Sequence, residues 1–256
     1  MHNNIEVALV SPRYLAGGGN PAWITVPLHR ACGWSHGHDP LMPRVILSSP
    51  DQKAVLRLDP RPGEPWWKLR HARVGEQRSW SAAFDARTPV EIIAGFTDAL
   101  TAPKTGPGPT PHPYDPLRQA DWRDAHGHDG LTSPDGIAHV KHGNDGASDG
   151  WFVTTMVSED PEGLIWQAYF SRDTPAHLIA GFTRALADQT PLPRDPYPLR
   201  IPAHSRRHFH VTQVLVPAID VAFPLENRVR TLADRQPSHP APAPRTWSAP
   251  PPRRTR

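Results

Sequence analysis

Two groups of residues in this 256-residue chain have the types and spacing that chemistry needs. The first is His29-x-x-Cys32-x-x-x-His36-Gly-His38-Asp39, whose closing tetrapeptide HGHD recurs at His126–Asp129. Imidazole nitrogens and carboxylate oxygens suit zinc and other transition metals, so His36, His38, Asp39, His126 and His128 form a candidate metal set, as two sites or one shared site. The spacing speaks against a repeated site, because Asp39 lies ten residues before Ser49 and Asp129 only four before Ser133. Glycine among abundant histidine reads more simply as polar loop, and no cofactor is expected. Nucleophilic chemistry has less to build on. Cys32 is the single cysteine, and a lone cysteine behaves as a small buried hydrophobe. Gly17-Gly18-Gly19 lacks the strand-to-helix context of a phosphate cradle. No nucleophile elbow, Walker A loop or HExxH helix is present.

The second group mixes cations with aromatic rings. If Ala54, Leu56, Trp67, Leu69 and Trp80 point into a core, period-two alternation sends Arg57, Trp66, Lys68 and Arg70 to the opposite face. Further along, His139, Lys141, Phe152 and Tyr169 take the same side. Rings among cations on an open sheet stack bases and pair with phosphates, as platforms for single strands do. The same face could instead be covered by a strand around Trp23–Val26, by His208–Val216, by a protein partner or by a second subunit.

These residues must be positioned by strands, and the chain repeats its strands. Trp80–Leu100 (WSAAFDARTPVEIIAGFTDAL) and Trp166–Leu186 (WQAYFSRDTPAHLIAGFTRAL) agree at 12 of 21 positions at an offset of 86. Upstream, Ser48–Leu58 matches Thr132–His142 at an offset of 84. Each copy opens on Ser-Pro-Asp, turn chemistry that should separate two strands. Two more strands follow, one through Trp67 and Leu69 or Trp151 and Val153, the other through Trp80, Ala82 and Phe84 or Trp166, Ala168 and Phe170. Thr88-Pro89-Val90-Glu91 then reads as a capping box with proline at the first helical position, and Thr174-Pro175 repeats the start. Ile92, Ile93, Phe96 and Leu100 make an apolar helix face. Gly95 and Gly181 fall mid-helix at a cost of ~1 kcal/mol each, which implies close helix packing.

The run from Tyr14 to Gln52, the W-x-A-x-F strand and the RTPVEIIAGFTDAL helix together resemble the actinobacterial domain of unknown function family 317, over about residues 7 to 190. That resemblance implies no activity, cofactor or catalytic residue.

The expected fold is α+β: two tandem ββββα repeats with pseudo-twofold symmetry, an extra C-terminal strand and a disordered basic tail. By analogy the layout resembles that of PUR and Whirly proteins, which bind single-stranded nucleic acid. The expected segments are 1–44 with one strand, repeat one at 45–102, a proline-rich linker at 103–121, repeat two at 122–190, a C-terminal segment at 191–235 and the tail at 236–256. Charge divides unevenly: from Arg200 onward ten basic residues face three acidic ones, giving +7, whereas residues 1–199 carry −4. Seven prolines in the tail oppose its folding. The start of the chain lacks the basic and apolar stretches of a signal peptide, and no window is apolar enough to span a bilayer, so a cytoplasmic protein without membrane contact is expected. The expected function is non-catalytic binding of single-stranded nucleic acid through the sheet. A metal-dependent enzyme and a protein-interaction module are the alternatives.

Overall fold

The computed structural model describes residues 4–37, 44–103, 110–125, 129–144, 149–158, 163–196 and 208–236. The chain opens with β1 (Asn4–Ser11), a single 3-10 turn (Arg13–Leu15) and α1 (Ala22–Arg30). The first half continues through β2 (Ser35–Gly37), β3 (Val45–Ser48), β4 (Ala54–Leu58), β5 (Trp67–His71), β6 (Trp80–Phe84) and α2 (Val90–Thr101). A short α3 (Asp115–Arg118) leads into β7 (Arg123–Asp124), β8 (Gly130–Thr132), β9 (Ala138–Asn144), β10 (Asp149–Met156), β11 (Leu164–Ser171) and α4 (Ala176–Ala187). Then come β12 (Leu192–Arg194), β13 (His210–Pro217) and α5 (Ala218–Arg235).

Antiparallel pairing joins ten strands in the order β2-β3-β4-β5-β6-β11-β10-β9-β8-β7, and three more in the order β12-β1-β13. The mixed helix and sheet architecture is therefore α+β. The first five strands of the large sheet are met in ascending order and the other five in descending order, with β6 and β11 meeting at Phe84↔Ala168, Ala83↔Tyr169 and Ala82↔Phe170. Phe84, Phe96, Phe170 and Phe182 close the junction, with ring centroids 5.1–5.8 Å apart in five pairs and Trp80 5.9 Å from Phe96. Above it α2 crosses α4 at two glycines. A Cβ on Gly95 would lie 2.5 Å from Gly181 O, and one on Gly181 would lie 2.6 Å from Gly95 O. Backbone contact this close admits only glycine.

Both Ser-Pro-Asp turns form by the same local chemistry. Ser49 Oγ donates to Asp51 Oδ1 (2.6 Å) and accepts from the Ala54 N–H (2.9 Å); Ser133 Oγ donates to Asp135 (2.5 Å) and accepts from Ala138 (2.9 Å). With the hydroxyls engaged by the following strand, these serines are structural.

The structure corrects several expectations. Trp23–Val26 is helical, within α1: Asn20 Oδ1 accepts the Ala22 N–H at 3.0 Å, and Ile24, Pro27 and Leu28 bury one helical face, which outweighs the β-propensity of Thr25 and Val26. The N-terminal strand is β1 instead. Each half carries a fifth strand, β2 or β7, ahead of the four expected; residue 45 thus leaves β2 outside the first expected repeat, while 122 admits β7. The capping box does not form. Pro89 and Pro175 occupy the cap positions, Thr88 Oγ1 is buried without a partner among the described residues, and Glu91 turns to Arg194 at 2.7 Å. Part of the expected linker is α3, with Leu117 fully buried. His210–Pro217 is a strand, but it pairs with β1 in the small sheet, and α5 follows it. The tail from 237 lies outside the described residues.

Candidate nucleic-acid interface

Strand register assembles the candidate site. On the face opposite the core, pairing runs Ile46↔Arg57↔Lys68↔Ala83 across β3 to β6. The same line continues Ala83↔Tyr169↔Phe152↔Lys141↔Gly130 through β11, β10, β9 and β8. Five of the eight expected contact residues, Arg57, Lys68, Tyr169, Phe152 and Lys141, thus form one row crossing both halves. From Arg57 to Lys141 it spans five strand spacings, about 24 Å.

The other three flank the row. Arg70 is exposed two residues beyond Lys68 on β5. His139 precedes Lys141 by two on β9 and meets Thr132 Oγ1 through Nδ1 at 3.1 Å; burial pushes its pKa below the ordinary histidine value. Trp66 lies in the bend before β5, half-buried and packed in part against the core, so less of its ring is free to stack than alternation implies.

The aromatic centre is a tilted Phe152–Tyr169 pair at 5.2 Å, with Lys141 Nζ 5.3 Å from the Phe152 ring centroid. Cation and ring at this distance attract. The first half is more neutralised. Arg57 pairs with Asp59 at 2.6 Å and Lys68 with Glu64 at 2.6 Å, although Arg57 Nε is buried with no partner among the described residues. The Lys68 hydrogen bond holds the Glu64 carboxyl below its usual pKa. Beside the row, burial raises the Asp85 pKa against the opposing effect of the Gln167 N–H, which donates to Asp85 at 3.0 Å. Asp85, Gln167 and Thr154 were not singled out from the sequence; their place emerges only once β6 is known to pair with β11.

Neither segment expected to cover this face does so. Trp23–Val26 and β13 lie elsewhere, and α1, α2, α3, α4 and α5 each bury residues in the core on the other side.

Of the five metal candidates, only His36 lies among the described residues. His36 is exposed in β2 at one edge of the large sheet, whereas Asp129, which closes the second HGHD, lies beside β8 near the opposite edge. Eight strand spacings, about 38 Å, separate β2 from β8 along the sheet. His38, Asp39, His126 and His128 lie outside the described residues. Among the described residues no three His, Cys, Asp or Glu side chains converge on a metal-sized point. Burial pushes the Cys32 thiol up, away from the thiolate a nucleophile requires.

No curated protein and no solved structure matches this chain. The chain is similar, twice over, to SPDY, a domain of unknown function (DUF317), whose family model matches residues 48–105, from the first Ser-Pro-Asp turn past α2, and again residues 132–192, from the second turn past α4.

Proposed function

We propose that the chain is a pair of tandem repeats about a pseudo-twofold axis, and that the outer face of its large sheet binds single-stranded nucleic acid without catalysing a reaction. The observation that carries this reading is the continuous row Arg57–Lys68–Ala83–Tyr169–Phe152–Lys141. Its two rings supply a stacking surface, and cations at both ends are placed to follow a phosphate backbone. The analogy with PUR and Whirly layouts points the same way, as fold analogy only. Cytoplasmic location and actinobacterial kinship belong to the same proposal. Among the described residues no helix is long and apolar enough to cross a membrane.

Residues 1–199 carry −4, so affinity depends on the cations gathered on this face rather than on net charge. Titration of a fluorescent oligo-dT across a salt series tests the reading. If Arg57, Lys68, Arg70 and Lys141 all meet phosphates, log K should fall against log salt with a slope of about −3. A chain ending at Arg235 should keep that slope; its disappearance with the tail would move the binding site off the sheet.

The ion pairs Arg57–Asp59 and Lys68–Glu64 favour a second reading, docking of a protein chain on the same face. Internally satisfied charges complement a mixed-charge partner better than a polyanion. Binding to the sheet that does not respond to salt would support it.

A further inference from the structure

One aspartate and one tryptophan occur at equivalent positions in both halves but have different surroundings. In the second half, Tyr14 is inserted between the turn and the strand. Its hydroxyl donates to Asp135 Oδ2 at 2.6 Å, and its carbonyl accepts the Trp166 Nε1 proton at 2.7 Å. Tyr14 is buried, its ring edge-on to Trp122. The equivalents in the first half, by sequence offset and by place in the fold, are Asp51 and Trp80, in a turn of the same hydrogen-bond pattern. Among the described residues nothing plays the part of Tyr14 there. Trp80 is only 3% exposed, yet its Nε1 has no hydrogen-bond partner among the described residues. Among the described residues Asp51 Oδ2 has only a 3.6 Å ion pair to the half-exposed Lys53. Asp51 and Trp80 line one cavity of about 390 Å³, together with Cys32, Trp34, His71 and His177. His71 stacks on Trp80 at 5.1 Å, and its own buried Nδ1 is likewise unpartnered.

A buried indole N–H without an acceptor is costly, and native structures rarely leave one so. A cavity of this volume lies within the range of ligand sites, and both the unanswered indole and the Asp51 carboxylate belong to residues that line it. We propose that this cavity is a docking site for a tyrosine-bearing segment of a partner polypeptide, seated as Tyr14 is seated in the other half. A main-chain carbonyl accepts from Trp80 Nε1 and the phenol donates to Asp51. The choice of tyrosine rests on the second half: the residue that satisfies the equivalent tryptophan and aspartate there is a tyrosine, using those two atoms. A phenylalanine would leave the carboxylate unanswered, and a free anion would be repelled by it. This site is separate from the outer sheet face, so it stands or falls independently of nucleic-acid binding.

The probe is an acetylated, amidated peptide carrying the Ser11–Gly17 sequence, added to the full chain with its tryptophan indoles labelled with nitrogen-15. Saturable movement of the Trp80 indole resonance is expected, assigned by its loss in Trp80→Phe. The peptide with phenylalanine in place of tyrosine should bind at least ten-fold more weakly. Asp51→Asn, at an exposed turn, should weaken the tyrosine peptide by a similar factor, and it keeps the test valid if Trp80→Phe does not fold. Absence of saturable binding would overturn the proposal. So would equal affinity for the tyrosine and phenylalanine peptides, or affinity unchanged by Asp51→Asn.

Discussion

Residues on the two faces of the large sheet have opposite duties, and mutation separates them. Trp67 is 2% exposed and fills the core, so Trp67→Ala should cost ~3–5 kcal/mol in denaturant unfolding. Phe152 is half-buried on the other face; Phe152→Ala should leave the fold intact and weaken oligo-dT binding by ~1–3 kcal/mol if a base stacks there. The alternation that distinguishes them was legible in the sequence because a period of two needs only a list of apolar positions. What that pattern did not reveal is how each cation is paired. Asp59 and Glu64 sit in the segment joining β4 to β5, and their reach to Arg57 and Lys68 depends on its path. Acidity should also be felt at single residues. Burial holds His139 and His177 below their ordinary value of 6.5, so on acidification the unfolded chain takes up protons first. Their stabilising effect is therefore complete above pH 6.5 and declines as pH falls from there through the folded-state values. Urea midpoints measured on either side of that pH should show the decline, and His139→Gln should make it shallower.

Elements were read well where their pattern was local and repeated, and missed where tertiary burial decided. The α2 and α4 helices were legible from apolar spacing, and their mid-helix glycines signalled the crossing that Gly95 and Gly181 make. Gly95→Ala tests that contact directly. Helix propensity alone would favour alanine by ~1 kcal/mol. A Cβ 2.5 Å from Gly181 O and 2.6 Å from Ala185 Cβ should reverse the sign, for a net loss of ~1–3 kcal/mol in chemical denaturation. The helix α5 escaped notice because Pro224 interrupts its sequence and its burial is confined to a narrow stripe through Val229 and Leu232. Arg228 fixes it instead, with two hydrogen bonds to Asp98 (2.8 and 2.6 Å) and one to Trp23 O (3.0 Å). Glu91 was expected to cap its own helix, but Arg194, 103 residues further along the chain, claims it through a two-pronged pair at 2.8 and 2.7 Å. That arginine also donates to Ala16 O and Gly17 O. With both partners mostly buried, Arg194→Ala should cost ~3–5 kcal/mol by stranding Glu91 and two carbonyls.

Across the whole molecule, one ten-stranded sheet presents a cation-flanked aromatic row on the face away from five helices. The internal repeat made the component strands visible in the sequence. The pairing of β6 with β11, which converts two short arrays into one row, was not visible, since strand order across the junction leaves no periodic trace. The small β12-β1-β13 sheet was hidden for the same reason: its strands lie at opposite ends of the chain. The central claim is that a single strand lies along the Arg57–Lys141 row. Photo-crosslinking of a bromodeoxyuridine oligonucleotide to the full chain, followed by mass spectrometry of the peptides, locates the contact directly. Crosslinks to Tyr169 and Phe152, reduced in Lys141→Ala, are the expected result. Crosslinks confined to residues 237–256, with Tyr169 and Phe152 unmodified, would contradict it.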